Sequence, residues 1–435
     1  MKILLVQGLN YLFAWGGAYK GNRILLRGLA DRSHTCHVLT LANPLTYDEY
    51  VNELVSRGST VVPTARGAMC QHDGIWIHIA KDNVQMCMQL MELIQEVQPD
   101  WTLVSEDSSF MLVAAALEAD PSRVVYLART ASNLPFGPDC MAPDPSKAEI
   151  LGRATSVLTV SHYMADYIKR WGGMEAKAIY WPAHGKGPFP SFRNFAQGYV
   201  TLVNPCDAKG LPIFLEMARQ MPDVQFAAVP TWGTGDVEQQ AMAALPNVRI
   251  LRPQEDVNKL FAQTRVLLAP SLWAEAFGQI VVEAMARGIP VMASNLGGLP
   301  EAKLDVDYVL PVRQLSYRLT ERKDFVEVVP EQDATPWVEA LRELLSDRPR
   351  YERLSAASRD AALAFIAGLG IEPFEEFLAQ LAPREPARRD RHKAAADKQA
   401  PQASPLQQRL QGISLQRRAL LAARLSQRAH SPSSH

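Results

Sequence analysis

Residues 270–300, PSLWAEAFGQIVVEAMARGIPVMASNLGGLP, decide the fold of this chain. After an apolar run at 266–269, a loop leads to a helical pattern that we expect to begin near Gly278 and to end at Gly288. A second apolar run, residues 289–293, predicts a buried strand. The order strand, loop, helix, strand is typical of an open α/β sheet, in which helix N-termini at the carboxyl edge of the strands suit an anion.

Two acids in this stretch, Glu275 and Glu283, stand eight positions apart. Glu275 precedes the predicted helix and Glu283 lies inside it. An acid at either position is commonly a solvated partner of the helix dipole. The residues around Glu283 are apolar on every side of the helix: Val281, Val282, Ala284, Met285 and Ala286. A carboxylate buried there needs a specific partner, so the pattern favours a functional role.

Length and composition indicate an ordinary globular protein of two or three domains, with 435 residues, 47% of them hydrophobic and 21% charged. The net charge of −1 is unevenly distributed along the chain. Residues 383–435 carry a surplus of eight positive charges, so the rest of the chain has a net charge of −9. No run of eighteen apolar residues occurs, so we expect no transmembrane segment. Five cysteines without a C-x-x-C pair favour a reducing, cytoplasmic location. Cys70, His72 and His78 lack a complete ligand set, so we expect no metal.

Alternating strand and helix patterns predict two mostly parallel sheets. The first series has strands at 3–6, 37–42, 101–105, 124–127 and 156–160 and helices at 19–32, 86–97, 110–119 and 162–171. The second has strands at 199–203, 225–229, 248–251 and 266–269 and helices at 211–220 and 257–263, before a variable region at 304–333 and helical patterns at 337–345 and 350–381. Gly16 and Gly17, at the first strand-to-helix turn, would let a ligand approach the backbone, although a tight turn is the ordinary reason for such a pair.

These patterns predict five segments. A first α/β domain (1–182) and a second (198–358) flank a linker (183–197), helices at 359–382 follow, and residues 383–435 form a basic tail that is disordered except for a short amphipathic helix. Two such doubly wound domains create a cleft between their carboxyl edges, where ligands bind in this architecture.

With both halves placed, residues 1 to about 381 resemble the GT-B fold glycosyltransferases of the retaining family 4. Glu275 and Glu283 match that family's E-x7-E signature, which continues here as E-A-x-A-x-G-x-P-V. Gly16-Gly17, the Ser161 helix start and Lys209-Gly210 also match. The resemblance implies an α/β fold of two Rossmann-like domains facing across a cleft. It also implies that the first domain (1–182) is on the acceptor side, that the second (198–358) binds the nucleotide sugar, and that the helices at 359–382 return to the first domain.

The resemblance also implies roles for the matched residues. Glu283 is similar to the family's ribose-binding glutamate, and Glu275 to the acid that contacts hydroxyls of the transferred sugar. The N–H groups near Phe277 and Gly278, with Lys209, would hold the diphosphate of the donor. The family transfers sugar by same-face attack without a side-chain nucleophile, and it generally uses a nucleotide-diphosphate sugar as co-substrate with no cofactor and no metal.

Two positions depart from the family's pattern. Many relatives have an arginine where Asn204 stands, and an asparagine can donate a hydrogen bond to the donor but brings no charge. Many relatives also have a histidine after the strand 124–127, where this chain has Arg129 nearby. Arg129 would recover the missing charge as a catalytic residue paired with the diphosphate. The alternative is that it is a surface residue and that the site is impaired.

The tail adds a second resemblance. Its segment ISLQRRALLAARLSQR, within 406–428, is similar to segments that precede condensation domains in peptide and polyketide assembly lines, which implies docking to a natural-product pathway. On pattern alone, a basic amphipathic helix that contacts nucleic acid or membrane is equally expected.

The sequence thus favours a retaining hexosyl- or pentosyltransferase that moves a sugar to a hydroxyl of a specialised metabolite, or otherwise of a glycan or lipid. We expect no nucleic-acid partner. The alternative is a non-catalytic nucleotide-sugar-binding scaffold, which the missing arginine and the appended tail suggest. A dinucleotide dehydrogenase fits poorly because no G-x-G-x-x-G follows the first strand.

Overall fold

The computed structural model describes residues 1–13, 16–105, 107–185, 187–254, 256–320 and 325–385. One compact unit extends over Met1–Arg384. The amphipathic helix expected within 406–428, and nearly all of the expected basic tail, lie outside the described residues.

Strands and helices alternate through most of this unit. The strands are β1 (Lys2–Gln7), β2 (Thr35–Thr40), β3 (Val62–Thr64), β4 (Gly67–His72), β5 (Ile75–Ala80), β6 (Trp101–Ser105), β7 (Val124–Ala128), β8 (Ser156–Thr159), β9 (Lys177–Ala178), β10 (Tyr199–Val203), β11 (Phe226–Val229), β12 (Val248–Ile250), β13 (Thr264–Ala269), β14 (Val291–Ser294), β15 (Val309–Leu310), β16 (Ser316–Leu319) and β17 (Phe325–Val328). The helices are α1 (Gly17–Asp31), α2 (Tyr47–Ser56), α3 (Asn83–Val97), α4 (Met111–Ala119), α5 (Pro145–Gly152), α6 (His162–Gly172), α7 (Leu211–Gln220), α8 (Asp236–Ala243), α9 (Val257–Phe261), α10 (Gln279–Met285), α11 (Leu299–Ala302), α12 (Thr335–Ser346), α13 (Arg348–Ala367) and α14 (Glu372–Gln380).

In the described residues the first sheet has the strand order β3-β4-β5-β2-β1-β6-β7-β8-β9. We call this sheet and its helices the N-terminal half. Neighbouring strands from β5 to β9 pair in parallel, as expected for a doubly wound sheet. The pairs β3–β4 and β4–β5 are antiparallel and form an edge that the sequence reasoning missed. Cys70 and His72 lie in β4, and the described residues contain no group of three metal-ligating side chains that could hold an ion.

In the described residues the second sheet has the strand order β12-β11-β10-β13-β14-β15, and all neighbouring strands pair in parallel. We call this sheet and its helices the C-terminal half. The expected α/β class with two mostly parallel sheets is therefore confirmed. The five apolar residues that flank Glu283 in and after α10 are all 0% exposed, which is the burial expected for that helix. Gly288, with φ at +70°, stands after the helix in the left-handed region that favours glycine.

Within the region 304–333, β16 and β17 form a separate antiparallel hairpin, which we call the hairpin. The sequence did not predict it, because its exposed strands mix charged and apolar residues without a core-facing run. Leu319 and Phe325 pair across its two strands, at the opposite end from Ser316 and Val328.

The last helix, α14, packs on the N-terminal half. Trp101 Nε1 donates a hydrogen bond of 2.8 Å to the Leu378 carbonyl, and the rings of Phe374 and Trp181 lie 4.6 Å apart. Glu375 accepts a hydrogen bond of 2.6 Å from Arg32 Nε. No single helix of the described residues is long and apolar enough to cross a membrane; α13 and α14, which bend by 41° between them, pass that test only as a pair, on length and composition.

Candidate active site

The loop between β13 and α10 carries Glu275 at the carboxyl edge of the second sheet. Gly297 and Gly298, which follow β14, pack against this loop. A Cβ placed on Gly297, whose φ is +61°, would lie 2.5 Å from the backbone nitrogen of Glu275. Gly298 donates its N–H to the Glu275 carbonyl at 2.7 Å. The backbone of Glu275 is therefore held where only a residue without a side chain can pack against it.

Lys209 and Glu275 form an ion pair at this edge. Lys209 ends the short turn that follows β10, and its Nζ donates a hydrogen bond to Glu275 Oε1. Ser271 Oγ donates to the same oxygen at 2.7 Å. The side chains are only 19% and 16% exposed. Burial alone would raise the pKa of the Glu275 carboxyl, but the charge of Lys209 and these hydrogen bonds lower it below its usual value, so the carboxylate is ionised at neutral pH.

Glu283 has the specific partner that its apolar helix requires, and the partner comes from the N-terminal half. Lys20 Nζ, in α1, lies 2.8 Å from Glu283 Oε1, with the glutamate side chain 12% exposed and the lysine side chain 43% exposed. His184 is buried nearby, and burial lowers the pKa of its imidazole to about 4, against a smaller opposing attraction to Glu283. Sequence reasoning missed Lys20 and His184, because neither belongs to a motif.

The glycine pair of the N-terminal half faces the start of α10. Gly16, with φ at +112°, is the N-cap of α1, and Gly17 is its first residue. A Cβ on Gly17 would lie 3.0 Å from Oε1 of Gln279, the first residue of α10. Two helix starts from different halves thus meet beside the Glu283 carboxylate.

Phe277 and Gly278 immediately precede α10. The Phe277 ring is buried between Tyr180 and Phe365, with centroids 5.4 and 5.7 Å away, so its side chain serves packing. Gly278 is the N-cap of α10 with φ at +111°. In the described part of the chain, no backbone carbonyl accepts a hydrogen bond from the N–H of either residue. Both N–H groups therefore remain available as donors at the helix start.

Asn204 follows β10 at the carboxyl edge, with φ at +59° and 4% exposure. Its Oδ1 accepts a hydrogen bond of 2.9 Å from the Gly233 N–H. Its buried Nδ2 has no hydrogen-bond partner among the described residues. A buried amide donor left without a partner loses the free energy of a hydrogen bond unless a ligand oxygen accepts from it.

Arg129 is held inside the N-terminal half. It is 6% exposed, which rules out the alternative that it is a surface residue. Its guanidinium carbon lies 3.3 Å from the centroid of the Trp181 ring, and Nη2 donates to Asn22 Oδ1 in α1. The structure thus places Arg129 beside α1, while Glu275 and Lys209 lie together at the edge of the other sheet.

The two halves contact each other across the region where the sequence predicted a cleft. Glu301, at the end of α11 in the C-terminal half, accepts hydrogen bonds of 2.9 Å from the His162 and Tyr163 N–H groups at the start of α6. Ser161 caps the same helix and donates to the Ala276 carbonyl. Carboxylates at a helix N-terminus stabilise it, so Glu301 joins the halves through the α6 dipole.

A small cavity lies beside the loop that carries Glu275. The cavity there has a volume of about 10 Å³ and is bounded by side chains of both halves. Its lining residues are Ser132, Asp139, Trp273, Ala274, Gln314, Leu315 and Tyr317. A volume of this size holds about one water molecule, so this cavity itself does not hold a larger ligand.

Residues 198–347 match the family model described as glycosyl transferases group 1. The chain is 27% identical over 195 residues to the D-inositol 3-phosphate glycosyltransferase of Corynebacterium diphtheriae, covering 42% of each protein. It is 30% identical over 162 residues to the phosphatidyl-myo-inositol mannosyltransferase of Mycobacterium leprae, covering 35% of this chain and 38% of the other. The chain thus spans about two fifths of the length of these curated relatives.

Among solved structures, Anabaena HepE in complex with UDP and glucose superposes with a TM-score of 0.61 over 88% of this chain and 100% of that chain, at 16% identity. A likeness at this identity concerns the fold. It agrees with the two-sheet architecture described above and places the chain among proteins of GT-B fold.

Proposed function

We propose that this chain, whose residues 198–347 match group 1 glycosyl transferases, is a retaining glycosyltransferase that moves a sugar from a nucleotide-diphosphate sugar to an acceptor hydroxyl. The observation that carries the proposal is the buried pair of Lys209 and Glu275 at the carboxyl edge of the second sheet. A cation and an ionised carboxylate are there held one hydrogen bond apart, beside a helix start with available N–H donors. Such a group of charges suits a sugar diphosphate, whose phosphates need donors and whose sugar hydroxyls need acceptors.

Different residues around this pair would bind different parts of the donor. Glu283 would accept hydrogen bonds from the ribose hydroxyls. The Nδ2 of Asn204, the N–H groups of Phe277 and Gly278, and Lys209 would bind the diphosphate. Donor binding would therefore draw Lys209 toward the phosphates and leave the Glu275 carboxylate to the hydroxyls of the transferred sugar.

In the proposed reaction the acceptor oxygen forms a bond to the anomeric carbon on the face from which the phosphate leaves. The bond between the anomeric carbon and the phosphate oxygen breaks, and its electron pair stays on that oxygen, which takes the acceptor's proton. Negative charge thus grows on the diphosphate, where Lys209 stabilises it more in the transition state than in the ground state. The scheme uses no side-chain nucleophile, no metal and no cofactor.

Arg129 is proposed as a further catalytic cation. In this scheme it would contact the diphosphate from the N-terminal half, beside Asn22 of α1. Its stacking on Trp181 keeps the guanidinium plane fixed, which is the form in which an arginine best binds a phosphate.

We propose a specialised metabolite as the acceptor, on the resemblance of the tail to assembly-line segments, and a cytoplasmic location for the reaction. A glycan or lipid acceptor is the other candidate, since the curated relatives include a phosphatidyl-myo-inositol mannosyltransferase. Deleting residues 386–435 should leave transfer to a free acceptor intact. Loss of chemistry on that deletion would contradict a docking role for the tail.

The experiment that tests the function is a panel of nucleotide sugars that differ in base and in sugar, scored by mass spectrometry for transfer and for hydrolysis. We expect turnover with one base and its loss in Glu275→Gln, with turnover unchanged by a chelator. Nucleotide binding without turnover on any donor would favour the scaffold alternative. No binding of any nucleoside diphosphate would contradict the proposal altogether.

A further inference from the structure

Two tryptophans stand side by side next to the proposed donor site. Trp273, in the loop that leads to Glu275, is half-buried and packs on the core of the C-terminal half. Its ring centroid lies 4.7 Å from Lys209 Nζ. The Trp232 ring, in the turn that follows β11, lies 6.2 Å from the Trp273 ring at an interplanar angle of 39°. The two indoles, which we call the tryptophan platform, therefore form one aromatic surface that begins at the ion pair of Lys209 and Glu275.

The segment that follows β10 positions both tryptophans. The Ala208 carbonyl accepts a hydrogen bond of 3.4 Å from the Trp273 N–H. Asn204 Oδ1 accepts one of 2.9 Å from the N–H of Gly233, the residue after Trp232. The same segment is proposed above to bind the diphosphate of the donor. Backbone contacts thus fix the position of the platform relative to the proposed diphosphate site.

Trp232 extends this surface into solvent. It is 66% exposed, whereas tryptophans in folded proteins are highly buried on average. A single exposed apolar side chain is ordinary, but this one continues an aromatic surface that starts at two charged groups of the candidate site. An indole in that position offers its face to a ligand group that can stack on it.

The platform and Glu283 lie on opposite faces of the second sheet. Glu283 belongs to α10, whose apolar residues pack with Leu267 of β13. Trp273 packs on the other core, which contains the neighbouring strand residue Val266 and the helix α7. Adjacent residues of a strand point to opposite faces, and the proposed diphosphate site at Lys209 lies at the sheet edge between them. A donor with its ribose at Glu283 would therefore extend its sugar end, and not its base, toward the platform.

Hydrogen-bond acceptors border the inner side of the platform. Trp273 lines the small cavity together with Asp139 and Gln314. The Asp139 carboxylate accepts hydrogen bonds from Gln314 Nε2 and, at 2.9 Å, from Tyr163 Oη, and a carboxylate has lone pairs for about four donors. The C–H groups of a sugar ring suit the negative face of an indole, and its hydroxyls suit such acceptors. An aromatic surface beside a carboxylate thus favours a sugar ring over a purely apolar group.

We propose that the tryptophan platform is an acceptor subsite and that the acceptor presents a sugar ring, whose C–H face stacks on Trp232 and Trp273 while its hydroxyl lies at the sugar held by Glu275. The inference rests on the proposed glycosyltransferase function and adds the chemical class of the acceptor. A glycan and a glycosylated metabolite both carry such a ring.

The test is an NMR titration of the full-length protein with its tryptophan indole nitrogens isotope-labelled, so that each indole N–H gives its own signal. The probes are methyl α-mannopyranoside, methyl β-glucopyranoside and methyl β-galactopyranoside, with the open-chain polyol sorbitol as a control that has no ring face. Phenol, uridine, guanosine and adenosine test an aryl group and a nucleobase as the occupant. We expect at least one pyranoside to shift the Trp232 and Trp273 signals saturably, and sorbitol to shift neither.

Variants show whether the stacking surface causes this binding. Trp232→Ala, followed through the Trp273 signal, should lose affinity for that pyranoside by about three- to tenfold, because one aromatic face is removed. Trp232→Phe keeps a ring and should lose less. Trp171→Ala is the matched control, since Trp171 is also an exposed tryptophan, at 46%, but lies in α6, and this variant should keep the wild-type affinity.

The inference would be overturned if none of the three pyranosides gave a saturable shift, or if Trp232→Ala bound them as tightly as the wild type. Shifts with phenol alone, or with the nucleosides alone, would overturn it in favour of an aryl group or a nucleobase. Titration of the same samples with UDP, GDP and ADP tests the proposed function separately. Failure of all three to bind would contradict the glycosyltransferase proposal, whereas failure of the pyranosides alone would remove only the acceptor subsite.

Discussion

Replacing Lys209 by methionine is expected to destabilise the folded protein at neutral pH, because Glu275 then keeps its charge without the ammonium group that it contacts. Removing one partner of a fully buried ion pair costs about 3–5 kcal/mol. The two side chains here are 19% and 16% exposed, so water relieves part of that loss. We therefore expect a decrease in the free energy of unfolding of about 2–3 kcal/mol and a fall of several degrees in Tm.

The loss should depend on pH in a definite direction. In the wild type, burial raises the pKa of Glu275 but Lys209 more than offsets it, so the folded-state pKa is depressed. A depressed pKa contributes stability above the unfolded-state pKa, and this contribution disappears as the pH falls through the folded-state value. Without Lys209 the pKa moves upward, and the buried carboxyl can be neutralised by a proton. The difference between wild type and variant should thus be largest near pH 7 and should shrink toward about pH 4.

Thermal unfolding monitored by circular dichroism at several pH values measures this difference. Adding Glu275→Gln to Lys209→Met should restore much of the lost stability, because the double variant buries neither charge. Lys169→Met is the matched control: Lys169 also forms an ion pair with a glutamate, at 2.8 Å from Glu175, but both side chains are exposed, so no measurable change is expected. The reasoning is refuted if Lys209→Met unfolds at the wild-type temperature at pH 7, or if its deficit is the same at every pH.

Three further predictions concern the proposed roles, the loop of Glu275 and the contact between the halves. Glu283→Ala should weaken nucleoside diphosphate binding about tenfold or more, by calorimetry, whereas Glu275→Gln should lower kcat more than that affinity; similar effects of both would contradict the division of roles. Gly297→Ala should abolish most turnover and lower Tm, because its Cβ would meet the Glu275 backbone at 2.5 Å; a fully active variant would show that the loop need not keep its conformation. Glu301→Gln should lower Tm by a degree or two, because the start of α6 loses a carboxylate and the two halves lose a contact; nucleotide affinity should not fall, and a marked loss of affinity would show that Glu301 itself contributes to the donor site.

The parallel elements of the fold could be predicted closely from sequence. The strands β6 and β10 and the helix α7 agree with the predicted bounds at both ends, because a buried parallel strand is a short apolar run and an amphipathic helix repeats at its own period. The sequence reasoning missed the edge β3 to β5, although β5, IWIHIA, is itself a short apolar run. β3 and β4 contain proline, glycine, glutamine and histidine and are separated by a short turn, so their pattern resembles a loop.

The sequence predicted those features of the candidate site that depend on residues close to one another in the chain. It indicated that Glu283 needs a partner, because the surrounding helix is apolar. It could not name Lys20, which lies 263 positions away and reaches Glu283 only through the placement of the two halves. The contact of Glu301 with the start of α6 could not be predicted from sequence for the same reason, since a carboxylate from any part of the chain can bind at a helix N-terminus. The catalytic and binding roles of all these residues stay predictions until variants are measured.

The return of α14 to the first sheet has a consequence for biosynthesis. Ile371, which precedes α14, lies 2.4 Å from the position that a Cβ on Gly28 would occupy. The hydrogen bond of Trp101 Nε1 is accepted by the carbonyl of Leu378 in α14. A ribosome adding about 5–20 residues per second needs on the order of ten to forty seconds to proceed from the end of the N-terminal half to this helix. During that interval the nascent chain exposes the apolar surface that α14 later covers. Chaperones that bind apolar segments should therefore associate with ribosome-bound chains of intermediate length and release them once this helix has emerged.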